Sequence, residues 1–108
     1  MPQDIKNEVD KLVKEINKTP HIKKIYLFGS FAYGSPNENS DIDLCVLTSD
    51  TSMRKRDLVK SIRKSIVKVA TMPVDILVYY VDEFFQRAVL ESTIEYKIAG
   101  EGVSIYEQ

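Results

Sequence analysis

The sequence has little of the residues that build disulfides and classical metal sites. Its 108 residues include one cysteine, Cys45, and one histidine, His21. A single cysteine excludes an internal disulfide and a zinc site built from several cysteines, and it fits a reducing compartment. Cys45 lies in the apolar run DLCVL, so we interpret it as a buried thiol. His21 lies in TPHIKK and is interpreted as a loop residue.

The sequence also lacks a long hydrophobic run and an excess of charge of one sign. No segment approaches the roughly 20 apolar residues that a membrane-spanning helix needs, and the opening MPQDIKNEVD is polar and acidic. The formal net charge of −1 gives no overall electrostatic reason to bind nucleic acid or an anionic membrane. We therefore expect a cytoplasmic protein that binds neither directly.

What the sequence does contain is an alternation of helical and extended patterns. Apolar residues recur at helical spacing from Ile5 to Ile16, with Pro20 beyond them. KKIYLFG, SDIDLCVLTS and PVDILVYYV predict strands, and VSIY predicts a short last one. MRKRDLVKSIRKSIVKVA predicts a surface helix, and DEFFQRAVLESTIEYKIAG predicts one further helix with Gly100 as its C-cap. The alternation predicts a single α/β domain over residues 1–108.

Two aspartates stand one residue apart at the start of the second predicted strand. Side chains alternate along a strand, so Asp41 and Asp43 are expected on one face, about 6 to 7 Å apart, opposite Ile42 and Leu44. Neighbouring carboxylates repel, which favours a compensating cation, and oxygen ligands suit Mg²⁺. The alternative is a solvated pair at a loop-to-strand junction. The D-x-D pattern alone does not decide between them.

A glycine turn precedes this pair. Gly29 and Ser30 close the first predicted strand, and a Gly-Ser turn leading into a short helical stretch exposes backbone N–H groups that can hold a phosphate. Gly34 lets the chain leave that stretch, and the loop SPNENS returns it to the second strand. The turn and the aspartates are thus predicted to face one pocket.

A third carboxylate, Asp75, opens the otherwise apolar strand PVDILVYY. An aspartate at a strand start is often exposed or capping. Beside a two-aspartate metal site it has a specific use, because phosphoryl and nucleotidyl transfer need metal ions on the phosphates and a base for the attacking hydroxyl. Asp75 is expected either to complete a second metal site or to act as that base.

These residues together resemble a known family. GSFAYG followed by SDIDLCVL is similar to the G-S-x-x-x-G and D-x-D signature of the nucleotidyltransferase fold, and the short length resembles the minimal nucleotidyltransferase (MNT) family. The resemblance extends from the leading helix through VDILV to the closing IAGEGVSIYE. It implies a polymerase β-like fold, with a mixed β-sheet flanked by helices. It also implies Mg²⁺-dependent transfer of a nucleoside monophosphate, most simply AMP from ATP, with release of pyrophosphate.

The resemblance also implies roles for individual residues. Gly29 and Ser30 would bind the triphosphate, Asp41 and Asp43 would hold metal, and Asp75 would be the third catalytic and metal-binding carboxylate. One departure stands out, because the family commonly has arginine where this sequence has Tyr33. A guanidinium there would assist phosphate or acceptor binding, so the tyrosine bears on turnover and acceptor choice.

The resemblance implies a partner as well. Members of the family pair with HEPN-domain toxins as antitoxins, in studied cases by adenylylating a tyrosine of the toxin. Two other functions stay open: a binding module that blocks a HEPN ribonuclease sterically, and nucleotidyl transfer to a small molecule. We interpret the basic helix as a solvated face. Two alternatives stay open for its basic residues, compensation for the missing arginine at position 33 and binding of an acidic partner; these residues are Arg54, Lys55, Arg56, Lys60, Arg63, Lys64 and Lys68. Phe84 and Phe85 are interpreted as core, with one of them available for an interface.

Overall fold

A computed structural model describes residues 2–108, which form five helices and four strands. In chain order these are α1 (Gln3–Ile16), β1 (Ile22–Phe28), α2 (Ser30–Tyr33), β2 (Ile42–Thr48), α3 (Lys55–Ile66), β3 (Val74–Tyr80), α4 (Val81–Ala88), α5 (Ile94–Glu101) and β4 (Val103–Glu107). The predicted first helix, basic helix and four strands are confirmed, as is the short helical turn after Gly29. None of the helices between residues 2 and 108 has the length and apolar character to cross a membrane.

The strands form one mixed sheet in the order β3-β2-β1-β4. β1 pairs antiparallel with β2 and with β4, whereas β2 and β3 run parallel. The parallel pair requires a crossover, and α3 provides it. The α/β class with a mixed sheet and flanking helices is therefore confirmed. β2, which carries the D-x-D pattern, is a central strand between β1 and β3.

Both faces of the sheet are covered. On one face α1 and α3 pack through buried residues such as Leu12 and Ile62 against Ile42, Leu44 and Val46 of β2. The other face carries a smaller cluster, which consists of Tyr26, Cys45, Leu47, Phe84 and Ile98 and lies under α4 and α5. The face of β2 that carries Asp43 is carboxylate only at the start of the strand, because Cys45 and Leu47 follow on the same face and are buried.

The prediction of one long helix after β3 is also wrong. The structure breaks it into α4 and α5 because Thr93 caps a new helix: its hydroxyl oxygen accepts a hydrogen bond from Tyr96 N–H at 3.1 Å. α5 then continues through Gly100, and its C-cap is Gly102 instead. The break changes the direction of the chain, so that α4 and α5 both cover the second face of the sheet.

The burial of individual residues agrees with most of the predictions made for them. Cys45 is buried and free, and His21 lies in an exposed turn, as predicted. The basic side chains of α3 lie largely in solvent while Leu58, Ile62 and Ile66 are buried. Phe84 is core, but Phe85 is 43% exposed, so its assignment to the core is wrong.

Candidate active site

The sheet register brings the three aspartates to one end of the sheet. Asp43 pairs with Phe28 of β1 on one side and with Asp75 of β3 on the other, and Asp41 directly precedes β2. Asp43 is half-buried, as is Asp41, and Asp75 is exposed on the edge strand. The sequence predicted the Asp41 and Asp43 pair from spacing. The placement of Asp75 beside it follows from the parallel pairing of β2 with β3.

Gly29 is fitted against the Asp43 carboxylate. It is the N-cap of α2 and has a left-handed φ of 74°. A Cβ on residue 29 would lie 2.0 Å from Asp43 Oδ2, well inside van der Waals contact. Both the backbone angle and the space at this position therefore require glycine. The Gly-Ser turn and the D-x-D pattern, which the sequence predicted to face one pocket, are in direct contact.

Ser30 fixes the loop that returns the chain to β2. Its hydroxyl donates to Ser40 Oγ at 2.9 Å, and its backbone oxygen accepts from Ser35 N–H at 3.1 Å. Ser40 Oγ in turn accepts from Asn37 N–H at 2.9 Å. Gly34 ends α2 with a left-handed φ of 89°, as expected of a C-cap. Ser30 thus offers a ligand its first-turn backbone amide, while its hydroxyl holds the loop.

The site has an unfavourable concentration of negative charge. Burial, followed by the charges of Asp75 and Asp41, raises the pKa of Asp43 to about 6. A carboxyl group whose pKa is raised by its like-charged neighbours is stabilised by any cation that enters between them. The donor set therefore fits a hard divalent cation such as Mg²⁺, for which carboxylate oxygens are the usual protein ligands.

The three carboxylates do not form a closed metal cage. Within residues 2–108, no group of three or more aspartate, glutamate, histidine or cysteine side chains is arranged to hold an ion by itself. This arrangement suits Mg²⁺ bound by one or two carboxylates together with oxygens of a phosphate ligand, which is how the ion commonly binds in phosphoryl-transfer sites. The residues present fit the ion only when a substrate completes its coordination.

Tyr33 and Lys97 adjoin this acidic group. Tyr33 is the last residue of α2, and Lys97 Nζ of α5 lies 4.6 Å from the centroid of its ring. Burial raises the pKa of the Tyr33 hydroxyl, the Gly29 amide opposes that shift, and the Glu101 and Asp43 carboxylates add to it. The tyrosine hydroxyl is therefore near the Gly29 turn and the acidic group. Sequence reasoning missed Lys97 and Glu101, because a charged residue on a short exposed helix carries no distinctive signal.

A buried glutamate supports the same region from below. Glu95 of α5 is 1% exposed, accepts a hydrogen bond from the Tyr79 hydroxyl at 3.2 Å, and pairs with Arg87 of α4. These contacts join α5 to α4 and to β3. They hold the helix that carries Lys97 against the face of the sheet that carries Asp43 and Asp75. Sequence reasoning missed Glu95, because a charged residue in a helical pattern is ordinarily exposed.

Comparisons with known proteins agree with this geometry. The family model described as "Nucleotidyltransferase domain" matches residues 6–99. A protein of Shewanella oneidensis named protein adenylyltransferase MntA is 43% identical over 51 residues, which are 47% of this chain and 35% of that protein. The chain thus spans about a third of the length of this relative in the matched region.

Solved structures share the fold at low sequence identity. A candidate nucleotidyltransferase from Sulfolobus solfataricus superposes with a TM-score of 0.68 at 20% identity, over 94% of this chain and 79% of that one. A toxin-antitoxin structure with AMP-PNP superposes with a TM-score of 0.52 at 23% identity, over 94% of this chain and 73% of that one. The MntA-HpeT toxin-antitoxin mutant D39ED41E superposes with a TM-score of 0.53 at 22% identity, over the same shares of the two chains. These similarities confirm the predicted fold.

Proposed function

The chain belongs to the nucleotidyltransferase domain family, and from that premise we propose that it transfers AMP from ATP to a hydroxyl group, in a reaction that depends on Mg²⁺. The observation that carries the proposal is the contact of the Gly29 turn with Asp43, with Asp75 beside it in the register. A turn with backbone amides at the start of a short helix, beside three carboxylates, is the combination that nucleotidyl transfer needs.

Each residue has a proposed task. Gly29 and Ser30 present backbone amides to the triphosphate, and the missing Cβ at Gly29 leaves the Asp43 carboxylate beside it. Asp41 and Asp43 would hold Mg²⁺. The bound ion would neutralise negative charge on the phosphates. Asp75 is exposed on the edge strand, where it is accessible to the hydroxyl of a large acceptor, and it takes the proton from that hydroxyl.

The bond changes follow from this placement. The acceptor oxygen forms a bond to the α-phosphorus, and the bond from that phosphorus to the oxygen bridging to the β-phosphate breaks. Pyrophosphate leaves with the bonding pair, and the acceptor proton passes to Asp75. The turn amides and the positions of Asp41 and Asp43 keep the triphosphate oriented during this exchange.

The proposed acceptor is a tyrosine of a HEPN-domain toxin, which makes the chain an antitoxin of the cytoplasm. Three findings support it: the family resemblance of the motifs, the segment similar to the adenylyltransferase MntA, and the fold shared with toxin-antitoxin structures. The open acidic site also suits a protein acceptor, because Asp75 lies on an exposed edge strand where a bulky substrate has access.

The test is the mass of a co-expressed partner. The chain is produced together with a HEPN protein encoded beside it, and the intact mass of that partner is recorded. We expect the mass of one or more AMP groups with the unaltered chain and none with the Asp41→Asn, Asp43→Asn double variant. Asp10→Asn, on the exposed face of α1, is the matched control and should leave modification unchanged. An unmodified partner with the unaltered chain would refute the proposal.

A steric antitoxin is the second candidate function. It is favoured by Tyr33 in place of the usual arginine of the family. If binding alone neutralises the toxin, the double variant will bind the partner and still protect cells. If chemistry is required, the double variant will bind without protecting. Cell survival measured beside the partner mass therefore separates the two functions.

A further inference from the structure

Lys97 is a cation placed at the border of an otherwise acidic site. Its ammonium lies 4.6 Å from the centroid of the Tyr33 ring, which joins α5 to the end of α2. An ammonium over a tyrosine ring is attracted by the negative face of the aromatic system. The contact therefore holds the ammonium end of a flexible side chain next to α2, the short helix that Gly29 caps.

The charges around the site make this lysine unusual. Asp41 and Asp75 are the charged groups that raise the pKa of Asp43, so its immediate neighbours are negative. Lys97 is exposed and, like several other lysines between residues 2 and 108, takes part in no salt bridge; what sets it apart is its position over the Tyr33 ring, beside the acidic group. Glu101 lies one turn along α5 from Lys97 without such a pairing. No side-chain hydrogen bond within residues 2–108 engages the Lys97 ammonium, so an anion that enters beside Tyr33 can reach its donors.

A cleft beside this residue has room for such an anion. It measures about 510 Å³ and is lined by Lys97, Glu101, Tyr96, Gly100, Ala88 and Ala99. Pockets that hold small ligands typically measure roughly 300 to 1,000 Å³. Lys97 belongs both to the wall of this cleft and to the contact with Tyr33. The lining comes from α4 and α5, and Lys97 is the residue that links this cleft to Tyr33 of α2.

We propose that Lys97, positioned by the ring of Tyr33, binds the phosphates of the nucleoside triphosphate. The proposal rests on the proposed function, because it places the triphosphate between the Gly29 turn and α5. The ligand chemistry is a polyphosphate ester, which carries several negative charges close together. A lysine binds such a group as a compact point charge, so its contribution should grow with the number of phosphates.

The test compares the affinity for ATP with that for AMP. Both are measured in Mg²⁺ by isothermal titration calorimetry on the full chain, as the unaltered protein and as Lys97→Met, Lys97→Arg and Tyr33→Leu. Lys60→Met on α3, which packs on the opposite face of the sheet, is the matched control. Thermal unfolding of each variant confirms that it is folded.

The expected result is a loss of affinity that is larger for ATP than for AMP. Lys97→Met should weaken ATP binding by about tenfold or more and AMP binding by less, since hydrogen bonds from an ammonium to phosphate oxygens are charge-assisted and AMP has fewer phosphates. Lys97→Arg should keep most of the affinity because the charge remains. Tyr33→Leu should lie between the two, and Lys60→Met should match the unaltered protein.

Two results would overturn the inference. If the unaltered chain binds ATP and Lys97→Met binds it equally well, the inference is wrong while the proposed function stands. The inference is equally wrong if Lys97→Met weakens ATP and AMP by the same factor. If the unaltered chain binds neither nucleotide in Mg²⁺, both the inference and the proposed function are wrong.

Discussion

At the residue scale, the contact between Gly29 and Asp43 joins the two motifs of the sequence. Residue 29 must be glycine because its φ is 74° and because Asp43 Oδ2 occupies the space where a Cβ would lie. The carboxylate is needed for the proposed metal. Each requirement alone is common in proteins, but their coincidence at one contact indicates a site built for a ligand.

Replacing Gly29 by alanine tests this contact. Gly29→Ala should lower the free energy of unfolding by about 1 to 3 kcal/mol, because a non-glycine residue is strained at this φ and the Asp43 side chain must move aside. The gain in melting temperature given by Mg²⁺ and ATP should be lost as well. Asp10→Asn, on the exposed face of α1, is the control and should keep both the stability and the nucleotide effect. Full retention of the nucleotide effect in Gly29→Ala would contradict the assigned role.

Removing the charge of Asp43 should not harm the fold. Burial and neighbouring carboxylates raise the pKa of Asp43 to about 6, so the ionised group costs stability in the folded protein above that pH. Asp43→Asn is therefore expected to be neutral or stabilising at pH 7.5, and the gain should shrink as the pH falls towards 4. Chemical denaturation of both proteins across this range measures the difference. A marked loss of stability at pH 7.5 would identify Asp43 as a structural residue instead.

At the element scale, the sequence predicts α1, α3 and the strands but not the α4–α5 segment. Hydrophobic spacing was sufficient for α1, α3 and the strands, since each has a clear apolar face or run. It failed between Ala88 and Ile94, where helical residues continue through the sequence but Thr93 starts a second helix. It also failed for Lys97 and Glu95, whose importance depends on how α5 packs on the sheet. Those facts arise from tertiary contacts and not from local pattern.

The cap of α5 can be tested by mutation. Thr93→Ala removes the acceptor for Tyr96 N–H and the hydroxyl that donates to Leu90 O at 2.8 Å. We expect the free energy of unfolding to fall by about 1 kcal/mol, within the usual range for loss of an N-cap. Thr51→Ala, at an exposed turn, is the control. Equal stability of Thr93→Ala and the unaltered chain in urea would contradict the assignment of the helix break to this cap.

A second element contact predicts a pH dependence. Burial alone would raise the pKa of Glu8, but hydrogen bonds from Thr71 N–H and hydroxyl, together with Lys11, lower it overall. A lowered pKa means that the ionised glutamate stabilises the fold above its ordinary value of 4.5, and that this stabilisation is lost as the pH falls below it.

Glu8→Gln should therefore be less stable than the unaltered chain at pH 7. A loss of about 1 to 3 kcal/mol is expected, because α1 then loses its charged acceptor for the segment before β3. The difference between the two proteins should narrow as the pH falls from 5 to 3. Urea unfolding at several pH values measures it. A difference that stays constant across this range would exclude ionisation of Glu8 as its cause.

At the scale of the whole molecule, the two faces of the sheet have different characters. The face under α1 and α3 holds the larger core, whereas the face under α4 and α5 holds the smaller cluster and the acidic site. Large apolar side chains of the α4–α5 segment are exposed, among them Val89 at 74% and Leu90 at 55%. The proposed chemistry thus occurs on the side of the sheet that has the smaller core, where Asp75 is exposed to an acceptor.

Binding of the nucleotide should stabilise the molecule as a whole. A ligand that binds only the folded state stabilises it by about 2.7 kcal/mol at 100 times its dissociation constant, which is a rise of roughly 10 °C or more in melting temperature for a domain of this size. Mg²⁺ with ATP should therefore raise the melting temperature more than either alone, because the carboxylates repel the phosphates until the ion is present. The Asp41→Asn, Asp43→Asn double variant should lose the joint effect while remaining folded. If millimolar ATP and Mg²⁺ together leave the melting temperature of the unaltered chain unchanged, the site does not bind nucleotide, and a steric antitoxin becomes the better account of the same fold.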